Sequence, residues 1–541
     1  MKPMTWATVF GIGIAALQPS TAHADWLEVS SPNFRFYSQG KEQESVETVQ
    51  NLEKLDHLVR AVTGNDKPPS PKPLTIYELG TMQDVQATMP GGGRGVAGYY
   101  TTSPQGAHLI TFRKPVEAPV PGSRLKRIYN INAEVTQHEY LHHLMFQYFP
   151  TNYPTFYPEG FAEYYGTMLF EPNNVIVVGH APVGRLESLK DWLPIRKVLT
   201  AKSYGDVTNL SSLYAEGWLL THMAAARPEV GKEMASFLRA ITKGVPYEKA
   251  AEDSFGDLDA FDKKVHDYAG HVTALTIKLK PFAISKVTVR HLSPVEEKLI
   301  STEIKLRSGM KVNEADAEAR RVRSVVEANP GNAYALGVLA LTECVAGEMD
   351  QARATAQRLL SIDPGNVRGD LALGMVQVAE LAGSGSDDAT AWDEAREPLA
   401  RAINSDATAT WPRIAYYQSY LKEGVLPSAG AQNALVQAFK LIPQDDDVRY
   451  LVARDYEMRG MIKAAIFTIS PSAYGTFDGN ERRKRKRDKA YREAAAKYTN
   501  IAYHESAGDM LKRLEAKRDG RWDEKTGTIT AAPKTASAPA S

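Results

Sequence analysis

The pentapeptide His138-Glu139-Tyr140-Leu141-His142 constrains this chain more than any other stretch. On an α-helix positions i and i+4 lie on one face, so His138 and His142 can offer two imidazole nitrogens to one ion. Glu139 lies one step round the helix, where it can reach a water on that ion without being a ligand. Zinc that does chemistry takes three protein ligands and keeps one position open. Glu159, in Glu159-Gly160-Phe161-Ala162-Glu163, can supply the third. Sixteen residues separate it from His142, enough for one helix to end, a loop to pass and a second helix to begin.

The flanking residues fit that plan. Ile131, Val135, Leu141, Leu144, Met145 and Tyr148 recur at near-helical intervals, and Pro150 marks the end of the helix. Pro158 suits the first turn of the next helix, where its missing N–H matters little. Glu159 and Glu163 share a face of that helix. Gly160 and Ala162 are small enough to admit a neighbouring helix or the metal. Glu163 is expected to orient a ligand histidine through the nitrogen not bound to zinc; an exposed helix carboxylate is the alternative. His143 is read as a residue behind the ligands or on the surface.

With Leu213-Tyr214-Ala215-Glu216-Gly217-Trp218 added, the segments H-E-Y-L-H and P-E-G-F-A-E-Y resemble the gluzincin metallopeptidases, the clan of thermolysin and the aminopeptidases. The resemblance implies one Zn2+ per chain on His138, His142 and Glu159. It also implies Glu139 as the base that takes a proton from the attacking water, and Tyr214 as a donor to the oxyanion. A buried core tyrosine is the alternative for Tyr214. The G-x-M-E-N segment with which aminopeptidases hold a free amino terminus is absent, and the spacing from His142 to Glu159 is shorter than is usual there. The closer resemblance is to bacterial proteins that join a peptidase-MA-like domain to tetratricopeptide repeats.

The first 24 residues read as a signal peptide: Lys2, an apolar run from Trp6 to Leu17 too short to span a bilayer, and Ala22-His23-Ala24 as the cleavage site. Cys344 is the single cysteine, so no internal disulfide can form. A bacterial periplasmic or secreted location is expected, with no transmembrane segment in the mature chain. Lysine plus arginine equals aspartate plus glutamate, 64 each, and nothing in that balance calls for nucleic acid. The basic run Arg482 to Arg487 is read as a solvated helix start.

An α+β organisation follows. Residues 25–290 hold strand patterns at Trp26–Tyr37, Pro73–Leu79, Val96–Tyr100 and Ala107–Phe112, then the metal-binding helices. Gly91 to Gly95 reads as a mobile loop; the resemblance makes Ala107–Phe112 the candidate sheet edge for an extended substrate, and an ordinary core strand without substrate contact is the alternative. Residues 291–470 are helical repeats: Asn329-Pro330-Gly331-Asn332 and Asp363-Pro364-Gly365-Asn366 recur 34 residues apart, the tetratricopeptide period. Residues 471–525 form a charged helical segment and 526–541 a disordered tail. Two functions of different class are open: a zinc peptidase acting on a peptide or protein substrate, with repeats that recruit a protein partner, or a zinc-containing repeat scaffold with little or no turnover; metal-assisted hydrolysis of a non-peptide bond is a third, since the same water chemistry serves other carbonyls. A fragment ending near Arg290 is expected to fold and hold zinc.

Overall fold

Leu27 and Val29, then Phe34 and Phe36, alternate with other residues, and Ser31-Pro32 breaks the run between them. The computed structural model describes residues 26–89, 93, 96–114, 117–119, 128–182, 184–474 and 505–530. There the alternation becomes two antiparallel strands, β1 (Leu27–Ser30) and β2 (Phe34–Ser38). Helix α1 (Glu42–Thr63) follows, with Val49, Leu52, Leu55 and Val59 on its buried face. It stops at Gly64, whose φ of 67° lies in the left-handed region that glycine tolerates. β3 (Leu74–Leu79) returns parallel to β2, and α2 (Met82–Thr88) starts from a Thr81–Asp84 capping box.

β4 (Tyr99–Thr101) and β5 (His108–Phe112) complete this side of the sheet. The short pair β6 (Glu117–Pro119) and β7 (Ile128–Asn130), and a ribbon of β8 (Leu169–Glu171), β9 (Val175–Val178) and β10 (Leu275–Lys278), lie outside it. β11 (Thr288–His291) then pairs with β1, giving the order β11-β1-β2-β3-β5-β4. This order corrects the substrate edge expected at Ala107–Phe112. β5 is interior, parallel to β3 and antiparallel to β4, and all its residues are buried. A run covered on both faces belongs between two partners; the edge strand on this side is β4.

Below the sheet, α3 (Ile131–Tyr148) carries the H-E-x-x-H pentapeptide and α4 (Phe156–Gly166) carries E-G-F-A-E. After α5 (Arg185–Ser188) and α6 (Ile195–Thr200) comes α7 (Leu210–Ala226), which lies against α4. Two glycines permit that contact. A Cβ on Gly160 would stand 2.1 Å from the Gly217 carbonyl oxygen, and one on Gly217 would stand 2.7 Å from the Phe156 oxygen. Backbone meets backbone there, so no side chain can move aside. α8 (Pro228–Thr242), α9 (Tyr247–Phe255) and α10 (Leu258–Ala269) complete one continuous core with α1, α3, α4 and a sheet face.

From Pro294 to Tyr474 the chain is a succession of antiparallel helix pairs. They are α11 (Pro294–Ser308) with α12 (Val312–Ala328), α13 (Ala333–Ala346) with α14 (Met349–Ile362), and α15 (Val367–Ser384) with α16 (Ala389–Ser405). α17 (Thr410–Glu423) with α18 (Ala429–Leu441), and α19 (Asp446–Met458) with α20 (Ile462–Tyr474), continue the series. The recurring Asn-Pro-Gly-Asn and Asp-Pro-Gly-Asn turns deliver Asn332 and Asn366 as N-caps, each accepting from the first turn of its helix. Ala335, Ala340, Ala352 and Ala356 are fully buried and let neighbouring helices close up. α11 packs on α13, α13 on α15 and α15 on α17, so one helix of each pair forms an inner layer.

The first of these helices also belongs to the sheet. Leu292, Ile300 and Ile304 share a buried cluster with Trp26, Tyr77, Leu79, Val85, Ile110 and Phe112. At the far end α21 (Ala507–Arg518) packs on α20. The tail expected to be disordered from Thr526 is ordered at its start: β12 (Trp522–Asp523) pairs with β13 (Thr528–Ile529) across Gly527, φ 66°. Residues 1–24, the basic run Arg482–Arg487 and residues 531–541 lie outside the described residues, as does Gly91–Gly95 apart from Gly93. Among the described residues no helix is long and apolar enough to cross a membrane.

Candidate metal centre

The two turns of α3 that carry His138 and His142 point both Nε2 atoms at the same spot, 3.1 Å apart. Glu159 comes from α4 on the other side, with Oε2 at 3.4 Å from His138 Nε2 and 3.5 Å from His142 Nε2. Bonds of about 2.0–2.1 Å to a tetrahedral zinc set neighbouring donors about 3.3–3.4 Å apart. The observed triangle therefore has the edge of a tetrahedral zinc site with one vertex open. Glu159 Oε2 is buried, with the two imidazole nitrogens as its neighbours. Among the described residues this is the single group of three or more His, Cys, Asp or Glu side chains gathered closely enough to hold an ion.

The surroundings fix each donor. The Tyr204 hydroxyl donates to Glu159 Oε1, which leaves Oε2 for the cluster. Glu163 is buried, not exposed; its Oε1 lies 3.9 Å from His138 Nδ1, the nitrogen turned away from the cluster. Arg185 Nε and Nη2 both donate to that same oxygen, at 3.0 and 2.5 Å. Gln137 Nε2 donates to the Gly166 and Met168 carbonyls at 2.5 and 3.1 Å, tying α3 to the end of α4. A Cβ on Gly166 would sit 3.1 Å from the His138 backbone nitrogen, so the two helices touch beside His138.

Charge follows from this packing. Burial works against a charged His138, but the hydrogen bond to Glu159 and the carboxylates of Glu163 and Glu139 outweigh it and push its pKa up to about 9. Burial alone would raise the Glu159 carboxyl, yet His142 and His138 hold it well below the usual carboxylate range. In the metal-free chain the cluster thus balances anionic carboxylates against a proton that a divalent cation can replace.

Glu139 extends toward the sheet. Its Oε2 accepts the Tyr100 N–H of β4 at 2.9 Å. Gly98 makes that approach feasible, since a Cβ there would meet the Val135 side chain at 2.5 Å and the Ile110 oxygen at 3.2 Å. Tyr214, on α7, is half-buried beneath the Arg185 guanidinium, 4.9 Å above its ring. Burial, then the negative charges of Glu159 and Glu139, raise its phenol and keep it a proton donor at neutral pH. His143 faces away from the cluster: it is buried, with Nδ1 3.3 Å from the Tyr100 hydroxyl, and burial and Arg60 push its pKa down to about 3.

The structure thus brings His138, His142 and Glu159 together, with Glu139, Glu163 and Tyr214 around them. Sequence reasoning missed Tyr204, Arg185 and Tyr100. Arg185 and Tyr204 each open a helical turn of three or four residues, too short to carry a periodic pattern or a motif. Tyr100 acts through its backbone, which leaves no trace in residue identity.

No protein-family profile matches the chain, and no curated protein matches it. Among solved structures, the crystal structure of a thermophilic TPR protein from Thermus thermophilus aligns with 34% of this chain and 91% of its own. The identity is 21% and the TM-score 0.27; the helix pairs are defined by their own packing.

Proposed function

We propose that this chain is a zinc-dependent peptidase of gluzincin type that hydrolyses peptide bonds. The observation that carries the reading is the donor triangle of His138, His142 and Glu159, whose edges of 3.1, 3.4 and 3.5 Å suit a tetrahedral zinc. When bound, zinc supplies Lewis-acid chemistry at neutral pH, acidifying water and drawing charge from a carbonyl oxygen.

The chain's own residues do the rest. Glu139 has one oxygen on the Tyr100 N–H and the other free to accept a proton from water and return it to the leaving amine. Tyr214 stays protonated and offers an O–H to the oxygen that gains charge. Arg185 holds Glu163 behind His138, where its carboxylate faces Nδ1 at 3.9 Å and favours a proton on that nitrogen. Tyr204 fixes the Glu159 carboxylate. The sequence-based expectations of export from the cell and of a protein partner for the helical array belong to the same reading.

A peptide-library digest by purified wild-type protein tests it. Cleavage that stops on chelation and returns with stoichiometric zinc supports the peptidase. A protein that holds zinc and cleaves nothing supports the scaffold reading instead.

A further inference from the structure

β4 is three residues long and, among the described residues, pairs with one strand, so by itself it would open readily. Yet it holds Glu139 through the Tyr100 N–H. The helical array supplies what the sheet does not. The Tyr99 hydroxyl lies 3.3 Å from Ser308 Oγ at the end of α11. The Pro104 carbonyl accepts from Thr410 Oγ1, the first residue of α17, at 2.6 Å. Gln444, in the loop before α19, lies against the Tyr100 hydroxyl, and the buried Asp445 faces Thr102. Beside them Lys72 runs past Gly106 and donates to the Thr408 carbonyl at 3.0 Å. Helices far apart in sequence converge on residues 99–104.

We infer that the array is a brace acting within its own chain, with Ser308, Thr410 and Gln444 as positioning residues that hold β4, and through the Tyr100 N–H the Glu139 carboxylate, in place. The part of the array that meets the catalytic half is thereby occupied by the chain's own hairpin, and any partner must use other surfaces. Only the effect on turnover rests on the peptidase reading.

The test uses the full-length chain. The triple variant Ser308→Ala/Thr410→Val/Gln444→Ala removes the three side-chain contacts and leaves the helix caps intact. Amide hydrogen exchange over residues 96–107 should quicken about tenfold or more, with exchange in α3 and α4 and the zinc content unchanged. On a cleaved peptide kcat should fall about tenfold with KM within about twofold, since misplacing a catalytic group lowers the chemical step. Thr410→Ser, which keeps the hydroxyl, should behave as wild type. So should Arg353→Ala, which breaks an Arg353–Glu380 ion pair inside the array and touches nothing at 99–104. Unchanged exchange over 96–107 in the triple variant overturns the brace. So does faster exchange spread evenly across the whole chain, which marks general destabilisation. If wild type cleaves no peptide, the exchange result still decides the brace, and only the peptidase reading falls.

Discussion

The candidate metal centre and the helical array are both built from helices packed on small residues, but they tolerate change differently. In the array the small residues face side chains: a Cβ on Gly374 would meet Leu399 side-chain atoms at 2.5 and 2.6 Å, and a leucine can turn. At the centre Gly160 and Gly217 meet each other's helix backbone, which cannot. The array's contacts run between neighbouring pairs, so damage stays local. The centre draws on α3, α4, α7, the Tyr204 turn and β4, so displacing one element displaces the donors of others. Stability distributed along a chain can absorb a fault; a site assembled from distant segments cannot.

The sharpest way to break this contrast is one alanine in each region. Gly160→Ala should abolish zinc binding and lower stability by more than about 3 kcal/mol, because overpacking here has no side chain to displace. Gly374→Ala should lower it by about 1–3 kcal/mol and leave zinc content unchanged. Thermal unfolding with metal analysis reads both, and equal losses would erase the distinction.

The boundary between the regions gives the next largest effect. The fragment ending near Arg290 loses Leu292, Ile300 and Ile304, whose burial against the sheet is worth about 1.5–3 kcal/mol each. Contrary to the expectation from sequence, it should be poorly folded, and α11 should be needed to complete the sheet face. Circular dichroism of fragments ending at Arg290 and at Ser308 separates the two outcomes.

Residues behind the ligands should matter less than the ligands. Tyr204→Phe or Arg185→Met should weaken zinc binding about 10–100-fold, the usual effect of removing an outer partner. Competition with a chelator measures it, and unchanged affinity in both would remove them from the site.

The smallest effect is linked to pH. His138 in the metal-free chain titrates near 9: burial opposes its charge, and the carboxylates around it overcome that and raise it from its ordinary 6.5. Its charge therefore stabilises the fold fully below about pH 6.5, and that contribution is lost as pH rises through about 9. Zinc affinity should rise across the same window, because binding expels the proton. Calorimetry in buffers of different ionisation heat should show proton release near neutral pH that fades above about pH 9.

Much of this was legible in residue order. The spacing of His138, His142 and Glu159, with Pro150 and Pro158 between them, foretold two helices meeting at one point. The alternation at Leu27–Phe36 foretold the first strands. The 34-residue recurrence of Pro-Gly-Asn turns foretold the helix pairs. What stayed hidden was contact across distance. Whether Ala107–Phe112 or Tyr99–Thr101 formed the edge depends on which strand is paired twice, and a short apolar run does not state that. Arg185, Tyr204 and Ser308 matter through what they touch, and no local pattern marks them.

The central claim is that His138, His142 and Glu159 hold zinc while Glu139 holds none and moves the proton. One comparison tests it directly: zinc content and peptide cleavage of wild type, His138→Ala and Glu139→Gln, purified side by side. The account predicts one zinc in wild type and in Glu139→Gln, little in His138→Ala, and a turnover in Glu139→Gln lower by about 10²–10⁴. Stoichiometric zinc in His138→Ala, or wild-type cleavage by Glu139→Gln, would contradict it.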